Sequence, residues 1–187
     1  MLNKNDLIGQ EAERVVRHIV LTQRLRAFYL RKYTPSEDLC TMSHDFGPQE
    51  SLRLDERVFL QGASLIDSSD TIATGISSYV TKAGGYAHLG LLDFQVLYEE
   101  SKIGAVVDVM RTCGATEGAI LDSGNSFHGY GFNLMSQATW QRFMHQALLS
   151  TLTDTRYIAH RLLEGVGVLR ISATATKPKV PRVVAVF

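Results

Sequence analysis

The sequence predicts an α+β fold: a split βαβ antiparallel sheet of the ferredoxin-like kind over residues 86–187, with an additional N-terminal helix-and-strand layer over residues 1–85. Three observations predict it. From Tyr86 the segments run strand, helix, strand, strand, helix, strand, with one further short helix before the last of these. The strand segments are short apolar or aromatic runs, whereas the helical ones carry apolar residues at the 3.6-residue period. Between segments 117–122 and 127–134 lies the dense turn signal Asp122-Ser123-Gly124-Asn125. The 187 residues fit a single domain large enough to bury a core.

In chain order, residues 8–24 place Ala12, Val15, Val16, Ile19 and Val20 on one helical face. Residues 26–33 are aromatic-rich and suit a strand. Residues 34–50 hold Pro35, Gly47 and Pro48 and read as a long loop. Strands are expected at 56–61 and 72–80. Residues 86–94 read as a buried strand. Residues 97–112 read as a helix with Ile103, Val106, Val107 and Met110 on one side. Strands 117–122 and 127–134 follow. Ser136 is a suitable N-cap for a helix from Gln137 to about Ser150, and Asp154 for a short helix through Leu163, which Gly165 and Gly167 end. The last expected strands are 166–173 and 182–187.

Composition narrows the function classes. The formal net charge is zero, so no global field attracts nucleic acid or an anionic membrane, and contacts of that kind need local patches. Cys40 and Cys113 lack metal-ligand spacing and read as reduced thiols. No apolar run approaches a membrane span and no leader pattern opens the chain, so no membrane contact and a cytoplasmic location are expected. P-loop, nucleophile-elbow, zincin and Cys-x-x-Cys motifs are missing.

The chemistry-bearing residues converge through the expected topology. In a split βαβ sheet the first and third strands are antiparallel neighbours. The end of strand 86–94, with Asp93, therefore lies beside the start of strand 127–134, with Ser126 and His128. Ser126 and His128 are two apart and share a face if extended. Two readings stay open for this hairpin: a phosphate- or nucleotide-binding corner, or a tight turn whose serine satisfies its own backbone beside a half-exposed histidine. Asp93 and Asp154 likewise read either as metal-binding carboxylates or as helix caps. Arg170, inside the apolar run Val168–Ser172, must reach an anion or solvent. His160-Arg161 reads as a solvated helix face with some packing. Two basic clusters remain: Arg170, Lys177, Lys179 and Arg182, and Arg24, Arg26, Arg31 and Lys32 interleaved with Phe28, Tyr29 and Tyr33. Either tracks phosphates and stacks bases, or is a solvated strand face.

An apolar strand ending in an acid, then Ser126-x-His128 after a Ser-Gly turn, then Asp154 before a helix and an Arg-bearing strand, resembles the catalytic core of the archaeo-eukaryotic primase superfamily. That group comprises small-subunit primases and primase-polymerases. The resemblance covers about residues 86–180 and implies an RRM-like sheet with an N-terminal layer. It implies that Asp93 and Asp154 hold Mg2+ or Mn2+, that Ser126 and His128 contact the phosphates of a nucleoside triphosphate, and that Arg170 adds a cation near them. Asp93, His128 and Asp154 would then be the catalytic group. The chain departs from the pattern at Gln95, which stands where a second strand-end acid is expected and offers an oxygen without charge.

The leading expectation is thus a nucleotide-binding primase-polymerase-like domain, a metal-dependent nucleotidyltransferase on DNA or RNA if active. Two alternatives stand beside it. One is a catalytically inactive module of the same fold that docks nucleic acid or a helicase-like replication partner. The other is a metal-dependent phosphoesterase.

Overall fold

The computed structural model describes residues 3–33, 51–55, 57–60, 64–66 and 70–187. The strands are β1 (Ala27–Tyr33), β2 (Ser51–Leu54), β3 (Ala73–Lys82), β4 (Gly85–Asp93), β5 (Gly118–Asp122), β6 (Phe127–Met135), β7 (Val168–Arg170) and β8 (Arg182–Val186). The helices are α1 (Ala12–Thr22), α2 (Arg57–Leu60), α3 (Ile103–Cys113), α4 (Gln137–Ala147) and α5 (Thr155–Glu164). All the strands join one antiparallel sheet in the order β2-β1-β3-β4-β6-β5-β8, and β7 pairs with β3.

The alternation of strand residues builds a core on each face. Leu89 and Leu91 of β4 point to one side, with Phe28, Tyr130 and the α1 residues Val15, Val16 and Ile19. Leu92 and the following Phe94 point to the other, with Met110 of α3 and Trp140 and Phe143 of α4. β4 and β6 are direct neighbours, with Asp93 opposite His128 and Leu92 opposite Gly129, as the split βαβ order requires. The N-terminal strands extend this same sheet, because β3 and β4 form a hairpin turning at Ala83-Gly84.

Three elements differ from expectation. Residues 57–60 form one helical turn instead of a strand, and the strand lies just before it. Asp55 decides this: its Oδ1 accepts the Arg57 N–H at 2.9 Å and its carbonyl the Val58 N–H at 3.3 Å, which turns the chain helical. The strand expected at 166–173 shrinks to β7 and pairs with Gly75–Ser77 of β3, whose other stretch, Tyr79–Lys82, pairs with the first half of β4. The helix expected from 97 begins at Ile103, after a short 3-10 turn at Glu100–Lys102. The loop expected at 34–50 lies outside the described residues.

Candidate functional site

A fork in the sheet opens a cleft. β3 pairs with β4 through Tyr79–Lys82 and with β7 through Gly75–Ser77. Ser78 stands where the two partners part. Its N–H donates to the Gly167 carbonyl at 2.7 Å, its Oγ accepts the Gly167 N–H at 2.8 Å, and the same oxygen lies 3.2 Å from His88 Nδ1. The cleft is about 350 Å³ and is bounded by the end of β4, the β5–β6 turn, β7, the start of α5 and the loop 176–179. That volume suits a small ligand. Asp93, Ser126, His128, Asp154 and Arg170 all line it.

The hairpin turn is satisfied internally and still delivers its histidine to the cleft. Asp122 Oδ1 accepts the Gly124 N–H at 2.7 Å, the Ser123 N–H donates to the Ser126 carbonyl at 3.0 Å, and the Ser123 and Ser126 hydroxyls lie 3.1 Å apart. Gly124 has φ of 113°, which favours glycine at that corner. His128 is buried, not half-exposed. Its Nε2 lies 3.7 Å from Asp93 Oδ1, and its Nδ1 has no hydrogen-bond partner among the described residues. Burial, with the nearby charges of Arg170 and Lys177, lowers the His128 pKa to about 3. The ring is therefore neutral, and its contact with Asp93 is not an ion pair. Burial and the carboxylate of Asp154 raise the Asp93 pKa to about 7.

A short antiparallel stretch brings the two acids together. The Asp154 N–H donates to the Asp93 carbonyl at 2.9 Å, Phe94 bridges to Thr153, and the Gln95 N–H donates to the Leu152 carbonyl at 3.0 Å. Asp154 caps α5, its Oδ1 accepting the N–H groups of Arg156 and Tyr157 at 2.9 and 3.0 Å. It is thus a cap that also lines the cleft. Asp93 caps nothing, because α3 starts well beyond it without a side-chain cap. Gln95 sends its amide to the Thr151 carbonyl at 3.0 Å, is exposed, and lies outside the cleft lining.

Arg170 is buried and, among the described residues, pairs with no carboxylate. Its guanidinium donates to the backbone carbonyls of Ser172, of Lys179 at 2.8 Å and of Ser123 at 2.7 Å. It joins the β5–β6 turn to the loop before β8. In that loop Thr174 Oγ1 accepts the Lys177 N–H at 3.1 Å, and the Thr174 N–H donates to the Lys177 carbonyl at 2.9 Å. This turn sets the exposed side chains of Lys177 and Lys179 at the cleft. The sequence showed both lysines as part of a basic run without a position. Thr174, four residues past β7 and three before Lys177, is the turn signal that could have placed them.

The remaining wall was read differently or missed. Arg161, expected on a solvated face, is buried; it donates to Glu164 at 2.8 Å and stacks over the Tyr157 ring at 5.6 Å. Glu164 also lies 3.7 Å from Arg31. Tyr157 donates its hydroxyl to the Leu91 carbonyl at 3.3 Å, and burial pushes its pKa far above the ordinary phenol range. Burial pushes the Tyr33 phenol up to about 12.

Asp93 and Asp154 are the residues of the cleft that could hold a hard cation. Asp93 and Asp154 supply carboxylate oxygens, and their mutual repulsion marks a place short of positive charge. Asp154 Oδ1 is already taken by its helix, and among the described residues no group of three or more His, Cys, Asp or Glu side chains is arranged to hold a metal. Two carboxylates would suffice for one hard cation whose remaining ligands come from elsewhere, and are too few for two.

Fold and site together define an α+β protein with a polar cleft at a sheet fork, acidic on the β4–α5 side and basic on the loop side. A family model described as archaeo-eukaryotic primase 1D-like matches residues 53–182, and the chain belongs to this primase-like family. No curated protein and no solved structure matched the chain. No helix among the described residues is long and apolar enough to cross a membrane.

Proposed function

We propose that the cleft binds a nucleoside triphosphate together with one divalent cation and that this complex supports nucleotidyl transfer onto a nucleic-acid strand. The observation that carries the reading is the meeting of Asp93, Asp154, Ser126, His128 and Lys177 in a single cleft of ligand size. Asp93 and Asp154 would hold Mg2+ or Mn2+. When bound, that ion supplies charge neutralisation at the phosphates. Neutral His128, whose Nε2 lies 3.7 Å from Asp93 Oδ1, would donate to a phosphate oxygen. Ser126 offers a second donor, and Lys177 and Lys179 meet the remaining phosphate charge as mobile cations. Arg170 holds the wall that carries them.

Titration of a fluorescent nucleoside triphosphate with Mn2+ tests the reading. Wild type should bind, and Asp93→Asn and His128→Ala should each weaken binding at least about ten-fold, as loss of a charge-assisted contact implies. Equal affinities for wild type and both variants would sink it. A second reading, nucleotide binding without transfer, is favoured by Gln95, whose amide is tied to Thr151 where the family pattern has an acid. Template-directed extension of a labelled primer separates the two: transfer requires extended product that disappears in Asp93→Asn.

A further inference from the structure

The aromatic and basic cluster read at residues 24–33 is divided by the fold. Phe28 enters the core, Arg31 turns to Glu164 and Tyr33 lines the cleft. Tyr29 joins a row away from the cleft, at the hairpin end of the sheet. The Tyr29 ring lies 5.4 Å from that of Tyr79 at 60°, and Tyr79 stacks on Tyr86 at 5.4 Å and 22°. Tyr29 sits directly opposite Arg53 of β2, so the row crosses four strands: Arg53, Tyr29, Tyr79, Tyr86. Three strand spacings make it ~14 Å long. Beyond Tyr79 the same face continues to His88, which stacks on Trp140 of α4 at 4.9 Å. The row is therefore on the face that carries α3 and α4, beside α4. Tyr86 is 57% exposed and Arg53 is exposed.

Charge argues for one kind of occupant. On the row's side of strands β1 to β4 the cations are Arg53 and Arg31, the latter paired with Glu164, while Lys32 and Lys82 alternate to the other side; the single acid of these strands, Asp93, stands at the cleft end far from the row. Aromatic rings spaced across adjacent strands beside cations stack unpaired bases and hold phosphates. We propose that this row is a platform for single-stranded nucleic acid, taking two or three stacked bases with Arg53 on the backbone. The platform lies outside the nucleotide cleft and does not rest on the reading of that cleft.

The test uses the full chain and a fluorescein-labelled fifteen-nucleotide oligothymidylate, followed by anisotropy over a salt series. Tyr86→Ala should weaken binding at least about five-fold, while Tyr86→Phe, which keeps the ring, stays within about two-fold of wild type. Arg53→Gln should make the slope of log affinity against log salt shallower by about 0.7, one phosphate contact on a single strand. Tyr86→Ala should leave nucleoside triphosphate affinity unchanged. The proposal is overturned by absence of oligonucleotide binding at low salt. It is equally overturned if Tyr86→Ala and Arg53→Gln bind as wild type does. Loss of triphosphate binding in wild type would instead count against the cleft alone.

Discussion

The backbone N–H of Asp154 donates to the carbonyl of Asp93 at 2.9 Å, so the acid that ends β4 and the acid that starts α5 are held as neighbours by the main chain itself. Neither needs its carboxylate for that placement. Substitutions that keep the shape of either side chain should therefore keep the geometry and change the charge.

Asp154→Asn should retain the α5 cap, since Asn serves as well as Asp there, with stability within about 0.5 kcal/mol of wild type. Asp154→Ala should lose about 1 kcal/mol. Both should weaken Mn2+-dependent nucleotide binding alike. Urea unfolding alongside calorimetric titration checks this. A variant that loses stability and binding in proportion would make Asp154 a cap and nothing more.

Asp93 and His128 should give opposed pH dependences of stability. Asp93 holds its proton to about pH 7 in the folded chain against an ordinary value of 3.8, so its contribution falls as pH rises between those values. His128 resists protonation down to about pH 3 against an ordinary 6.5, so its contribution rises with pH across that window. Over about pH 4 to 6.5 the slopes oppose in wild type. Asp93→Asn should leave stability rising with pH, and His128→Gln should leave it falling. Urea midpoints at pH 4.5, 5.5 and 6.5 decide; slopes of the same sign in both variants would contradict the assignment.

Arg170→Lys should fail to replace the arginine despite conserving charge, because one ammonium cannot span three carbonyls in separate segments. A loss of about 2–4 kcal/mol is expected from the unpaired buried acceptors. Amide exchange should accelerate at Ser123–Ser126 and at Lys177–Lys179 together. Unchanged exchange in both segments would show that Arg170 does not join them.

Gln95→Asp restores the charge of the family pattern but not its placement. The new carboxylate cannot donate to Thr151 and faces its carbonyl instead. We expect about 1 kcal/mol lower stability and no gain in Mn2+ affinity. Manganese titration followed by electron paramagnetic resonance reads the latter directly, and tighter binding would mean that residue 95 turns into the cleft.

Much of the site was legible because a split βαβ order dictates which strand ends meet. Asp93 and His128 are register partners for that topological reason. The strand at 56–61 was misread because Asp55 recruits the next backbone N–H groups into a helical turn, a local contact that outweighs a short apolar run. Arg161 was misread because a helix face is solvated or buried according to what packs on it. Here Tyr157 and Glu164 enclose it.

The sequence by itself determined the element order, the turn at Asp122–Asn125, the caps at Ser136 and Asp154, and the meeting of Asp93 with Ser126 and His128. These follow from periodicity, turn chemistry and strand-neighbour rules, which act over short spans or through topology. Tertiary structure alone decided the cleft. The exchange of β4 for β7 as partner of β3 at Ser78, the commitment of Arg170 to backbone carbonyls and the seating of Lys177 depend on which distant groups arrive beside them. Burial then set the titration of Asp93 and His128, since desolvation belongs to the packed surroundings and not to the residue.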